Sequence, residues 1–235
     1  MNIILGSGSL RRKSILEEIF DRFQIIIPSI DEMKFKDEMP YDYVERITNS
    51  KMDSILELIL ESILESAKKT EASRTPEAGG RNILSILEST KSDDFFVITS
   101  DTIVYIEAND ENDEKILGKP GSRDEAFSML KLLSGREHLV ITGICIILKN
   151  NIEIKRLYDY EKTSVKFKEL SDKSIDFYLS CADYEDKAGS YAIQEYGEQI
   201  IDKVNGSVTN VIGFPLTLFF KMVNQIGGQD ILFKR

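Results

Sequence analysis

The chain has 235 residues, with 30 Lys plus Arg against 40 Asp plus Glu, a net charge of −10. With 42% hydrophobic residues it is long and apolar enough for a substantial core, which excludes a small disulfide scaffold and a fully disordered chain. The acidic balance argues against a broad nucleic-acid-binding face, although a small polyanion needs only a local cluster of cations. Cys145 and Cys181 lie far apart without CxxC spacing and read as reduced thiols. The single His138 cannot build a zinc site alone. No apolar run approaches the ~18 residues of a membrane span. The opening MNIILGSGSLRR reads as a strand and turn rather than a signal peptide, so the expected compartment is the cytoplasm.

In chain order, Asn2–Leu5 predicts a buried strand, Ser7-Gly8-Ser9 a tight turn, 10–20 a helix, and Phe23–Ile27 a second strand. Tyr43–Ala67 predicts a long helix, with Met52, Ile55, Leu56, Ile59, Leu60, Ile63 and Leu64 forming one apolar stripe. Residues 68–81 read as an exposed loop, followed by a short helical piece around Ile83, Ile86 and Leu87. Phe95–Ser100 is an apolar strand running into Asp101-Thr102, with Ile103–Ile106 also extended. The acidic run 109–114 lacks the glycine and glutamate pattern of a calcium loop and reads as a hairpin tip. Then come a helix at Asp124–Leu133, strands at Leu139–Leu148 and Ile154–Lys168, a helix at Ser171–Leu179, extended pieces at Tyr191–Ile193 and Lys203-Val204, and a last helix at Pro215–Ile226 closed by Gly227-Gly228. This mixture predicts an α/β or α+β fold around one continuous sheet.

Three places carry chemistry. In Ser7-Gly8-Ser9-Leu10-Arg11-Arg12, small residues admit an anion, hydroxyls donate to it, the next helix aims free N–H groups at it, and two guanidinium forks suit phosphate oxygens. The spacing is neither a P-loop nor a dinucleotide-binding glycine set, and the same residues also make an ordinary helix cap with surface arginines. Asp101, at the end of an apolar strand, is costly without a partner or role, and Asp31-Glu32 follows the second strand. Carboxylates beside a phosphate site repel it unless a cation such as Mg²⁺ bridges them; taken singly, each is also a common cap or turn residue. Lys119, in Leu117-Gly118-Lys119-Pro120, starts from an ordered turn, and Lys51 sits near the head of the long helix. Either lysine, taken singly, also fits an ordinary surface position.

Taken together, the pieces resemble the Maf family of nucleoside triphosphate pyrophosphatases. The likeness runs through SGSLRRKSILEE at 7–18, Asp31-Glu32, Lys51, SDTIV at 100–104, LGKP at 117–120, TGI at 142–144, DKAGSYAIQEYG at 186–197 and GSVTNVIGFP at 206–215. The resemblance implies a long, mixed, twisted sheet flanked by helices, two lobes around a cleft and an inosine-triphosphatase-like architecture. It implies hydrolysis between the α and β phosphates, a divalent Mg²⁺ or Mn²⁺ and a homodimer. The acidic balance and the lack of a long apolar run lead to the expectation of no nucleic-acid and no membrane partner.

The family roles then fall on Ser7, Ser9, Arg11 and Arg12 for the phosphates, Lys51 and Lys119 for charge neutralisation, and Glu32 and Asp101 for metal binding and water activation. Gln194 falls in the substrate pocket. The Tyr191/Ile193/Gln194 version is similar to members acting on dTTP and UTP, while Ser190, Ala192 and Glu195 depart from the commoner residues. The 50-residue separation of Lys51 and Asp101 implies one domain carrying an insertion within 57–92, with a smaller one at 108–114. The alternatives are a purine triphosphatase, for inosine or 7-methyl-GTP type substrates, and a non-catalytic nucleotide-binding regulator of division.

Overall fold

The computed structural model describes residues 1–70, 94–108, 114–150 and 153–232. The elements are β1 (Asn2–Gly6), α1 (Leu10–Glu17), β2 (Gln24–Ile25), α2 (Pro40–Thr70), β3 (Phe95–Ile106), β4 (Lys115–Leu117), α3 (Arg123–Leu133), β5 (Glu137–Lys149), β6 (Ile154–Phe167), α4 (Asp172–Cys181), a 3-10 turn (Ala188–Ser190), α5 (Gly197–Ile200), β7 (Ile201–Asn205), α6 (Val208–Ile212), α7 (Leu216–Gln225) and α8 (Gln229–Leu232). They build one mixed sheet in the order β2-β1-β3-β5-β6-β7, with β4 also on β3. β1 runs parallel to β2 and β3, and the other pairs are antiparallel. Among the described residues, no helix is long and apolar enough to cross a membrane.

β3 organises the molecule. Its alternating side chains face opposite layers. Phe96 and Ile98 join Leu16, Phe214 and Phe219 in a core beneath α1 and α7. Phe95 and Val97 join Met52, Ile55 and Leu56 beneath α2. Farther along, Val104 and Ile106 pack with Leu130 and Tyr178 of α3 and α4, while Ile103 and Tyr105 pack with Val44 of α2. Each face therefore has two apolar clusters, and the polar residues Thr99, Ser100, Asp101 and Thr102 form a waist between them.

At that waist β3 changes neighbours. Its first part pairs with β1 as far as Gly6↔Thr99, and its last part pairs with β4 from Val104↔Leu117. Between them, Ser100–Ile103 has no strand partner on that edge among the described residues, while β5 continues along the other edge. There the edge of β3 is left open to side chains from the neighbouring segments.

Several expectations are revised. Asp101 lies within the 12-residue strand β3, not at its end, because β5 supports the backbone past the point where β1 stops. The second strand shrinks to Gln24–Ile25, whose side chains are exposed and bury no face. Tyr191–Ile193 is irregular, following a 3-10 turn in which Gly189 and Ser190 have φ of +68° and +63°. α6 was not anticipated; Ser207 caps it by accepting from Asn210 N at 3.2 Å, and Gly213 ends it at φ +109°. The short helix expected around Ile83–Leu87, most of the 57–92 insertion and the tip at 109–113 lie outside the described residues, although β3 and β4 do flank that tip as an antiparallel pair.

The close seat of α2 depends on Gly143 in β5. A Cβ there would meet Thr48 Oγ1 at 2.7 Å and Val44 Cγ1 at 2.8 Å. Gly143→Ala is therefore expected to lower stability by about 1–3 kcal/mol through overpacking, measured as the shift of the urea unfolding midpoint.

Candidate active site

The turn after β1, the waist of β3, the first third of α2 and the turn after β4 meet in one cleft of about 280 Å³. Ser9, Arg11, Arg12, Glu32, Lys51, Asp101 and Lys119 all line it. The open edge of β3 is the geometric reason: the Ser7–Arg12 segment leaves the end of β1 on one side, and Gly118-Lys119 leaves β4 on the other.

Asp101 and Thr102 point to opposite faces of β3, and each is met from its own side. From the α2 face, Lys51 Nζ reaches Asp101 Oδ1 at 2.6 Å and Glu32 Oε1 at 2.8 Å. Thr99, on the same face, donates to the Thr48 carbonyl at 3.0 Å and locks α2 to the strand. From the α1 face, Arg12 donates to Thr102 Oγ1 at 2.9 Å, Ser7 Oγ at 3.2 Å and the Gly213 carbonyl at 2.9 Å. Behind Thr102, the hydroxyls of Thr102 and Thr142 lie 3.1 Å apart, and Thr142 donates to the Asn210 carbonyl at 3.1 Å, tying α6 to the waist. Ser7 is thus buried beneath the cleft as an anchor for Arg12, whose own burial pulls its guanidinium below the ordinary value despite the opposing charge of Asp101.

On the far wall, Arg11 donates to the Asp186 carbonyl at 3.0 Å, and Lys119 pairs with the Asp186 carboxylate. Tyr43 closes the α2 side. Its hydroxyl donates to the Glu32 carbonyl at 2.8 Å, and burial beside Asp101 and Glu32 pushes it up to about 12. The cations Arg11, Arg12, Lys34, Lys51 and Lys119 outnumber the carboxylates Glu32, Asp101 and Asp186 in the lining, so the cleft favours anions although the whole chain is acidic.

Gln194 stands apart. It is exposed in the turn before α5 and is not among the lining residues. Sequence reasoning missed Lys34, Tyr43, Thr102 and Asp186, and named Tyr191 only as part of the motif with Ile193 and Gln194. Two had readable signals: Thr102 adjoins Asp101 in the same polar waist, and Tyr43 precedes Lys51 by two helical turns on one face. Lys34 and Asp186 lie in polar stretches without periodicity, and only the folded chain brings them here.

His138, in β5, backs the cleft as a packing residue. Its Nε2 lies 2.8 Å from the Tyr191 hydroxyl, and Tyr191 is a lining residue. Desolvation pulls this imidazole down from 6.5 to about 3. In the unfolded chain it protonates near pH 6.5, so between these values the unfolded state binds more protons. The stability contributed by neutral His138 is complete above pH 6.5 and is lost as pH falls toward 3, with a limiting slope of ~1.4 kcal/mol per pH unit. Urea unfolding across that window is expected to depend on pH more steeply in the native chain than in His138→Gln, the difference reporting this group.

A mixed α/β sheet whose central strand exchanges partners at a cation-lined cleft defines a polyanion-binding protein of the α/β class. The chain belongs to the Maf family: the model for Maf-like proteins matches residues 2–226. It is 35% identical to a dTTP/UTP pyrophosphatase of Caldanaerobacter subterraneus subsp. tengcongensis over 225 residues, covering 96% of this chain and 89% of that protein. It is 37% identical to the dTTP/UTP pyrophosphatase of Clostridioides difficile over 217 residues, covering 92% of this chain and 91% of that protein. The dTTP/UTP pyrophosphatase of Clostridium tetani is 34% identical, with 97% and 98% covered.

Proposed function

We propose that this protein hydrolyses pyrimidine nucleoside triphosphates, dTTP and UTP and their modified forms, to the monophosphate and pyrophosphate. The observation that carries this reading is the Lys51–Asp101–Glu32 cluster facing Arg11, Arg12 and Lys119 across one cleft. The relatives described above are dTTP/UTP pyrophosphatases, which favours the pyrimidine substrates.

The donor set fits a divalent ion. Glu32 and Asp101 both bond one ammonium, so their oxygens converge, and hard oxygen donors suit Mg²⁺ or Mn²⁺. Among the described residues no group of three or more His, Cys, Asp or Glu assembles, so substrate phosphate oxygens and water would complete the shell. Held beside Lys51 by Glu32 and Asp101, the ion would withdraw charge from the phosphate oxygens.

The chain's own residues account for the rest. Arg11, Arg12 and Lys119 receive the triphosphate and offset its charge. Lys51 fixes the Asp101 carboxylate through Oδ1. Its second oxygen, Oδ2, accepts a proton as water attacks the α-phosphorus. The bond from that phosphorus to the bridging oxygen breaks, and pyrophosphate leaves with the electron pair. Arg12 is bound to Ser7, Thr102 and Gly213, so its fork is preorganised before substrate arrives. Gln194 contributes on the base side in this proposal, as part of the motif that includes Tyr191.

A panel of triphosphates with product identification tests this. Pyrimidine triphosphates should be turned over fastest, with monophosphate and pyrophosphate as products in the presence of Mg²⁺ or Mn²⁺ and none after chelation. Asp101→Asn should lower kcat at least ~10²-fold, the usual scale of a lost general base. Release of diphosphate plus inorganic phosphate would contradict the proposal, and a purine optimum would move it to the purine reading.

A further inference from the structure

We infer that Lys34 is a further phosphate-binding residue of this cleft, presented by a strap of residues 31–38 that a fork between Arg46 and Glu38 latches onto α2. The inference rests on the triphosphate-site reading above and adds a contact to it.

The strap has no regular secondary structure, and most of its side chains are exposed. Its backbone is nevertheless tied residue by residue. Arg46 Nε and Nη2 donate to the two oxygens of Glu38 at 2.6 and 2.8 Å, and Nη2 also donates to the Met33 carbonyl at 3.0 Å. The same guanidinium stacks 4.0 Å from the centre of the Phe35 ring. Glu38 in turn accepts from Phe35 N at 3.0 Å, and Tyr43 holds the Glu32 carbonyl. Residues 32, 33 and 35 are therefore fixed, and the backbone of Lys34 lies between fixed points.

Lys34 differs from the other cations of the lining. Arg11, Arg12, Lys51 and Lys119 each have a protein partner. Lys34 forms no hydrogen bond or ion pair with any described residue, and its charge is felt only weakly by Glu38. An ammonium with no hydrogen-bond or ion-pair partner among the described residues, at the wall of a cleft and on a latched backbone, suits an incoming phosphate oxygen. The latch also accounts for the exposed Phe35, which packs on Arg46 rather than into a core.

The experiment measures calorimetric binding of inorganic tripolyphosphate and steady-state turnover of dTTP by the whole chain. Lys34→Ala should weaken tripolyphosphate binding about tenfold, the scale of one lost charge-assisted contact. It should raise KM for dTTP while kcat stays within about twofold, the signature of lost uniform binding. Lys36→Ala, the same charge change on the same strap but outside the lining, should alter neither. Arg46→Lys keeps the charge but cannot form the fork, so it should raise KM as Lys34→Ala does. Equal behaviour of Lys34→Ala and Lys36→Ala would overturn the inference and leave the proposed function standing. Lys34-dependent tripolyphosphate binding without any nucleotide turnover would do the reverse.

Discussion

One ammonium holds the site together. Lys51 Nζ bridges Asp101 of β3 and Glu32 of the strap, joining two segments far apart in the chain. Its side chain is about nine-tenths buried, as is that of Asp101, while Glu32 is 51% exposed. Removing one member of such a cluster leaves a desolvated charge without its partner, which costs more than the contact itself contributes. The position of Lys51 is set by α2, which is seated by Gly143, the Thr99–Thr48 bond and the apolar stripe from Met52 to Leu60.

The sheet supplies the second constraint. β3 exchanges β1 for β4 along one edge, and its residues at the exchange are polar on both faces. Asp101 is answered by α2, and Thr102 by Arg12 and Thr142. The waist that divides the apolar core into two lobes is therefore also where the proposed chemistry falls. A break in the core and an opening in the sheet are the same feature, seen first as packing and then as function.

This organisation explains which parts were readable from the sequence. The run Phe95–Ile106 shows four apolar residues, four polar ones and four apolar ones, and that interruption marks the waist directly. The stripe on α2 repeats at helical spacing, so Met52, Ile55, Leu56 and Leu60 announce the buried face. The double arginine and the two lysine motifs were visible as residue types suited to phosphate. The strap was not readable, because 31–38 has no period and its order comes from Arg46, a residue on another element. Nor was Asp186: an acid in a turn looks alike whether it faces solvent or, as here, Lys119 and Arg11. β2 is shorter than the apolar run Phe23–Ile27 suggests, because Ile25 and Ile27 are exposed and the pairing with β1 ends at Leu5↔Ile25.

The same arrangement reconciles a chain of net charge −10 with a polyanionic substrate. The surplus of negative charge is a property of the whole chain, whereas the lining of the cleft holds more cations than carboxylates. In the proposed reaction Lys51 and Asp101 act as one unit. A double-mutant cycle on kcat/KM for dTTP, with Lys51→Met, Asp101→Asn and the pair, tests it most directly. The double variant should lose little more than the worse single one. Losses that multiply, as for independent residues, would contradict it.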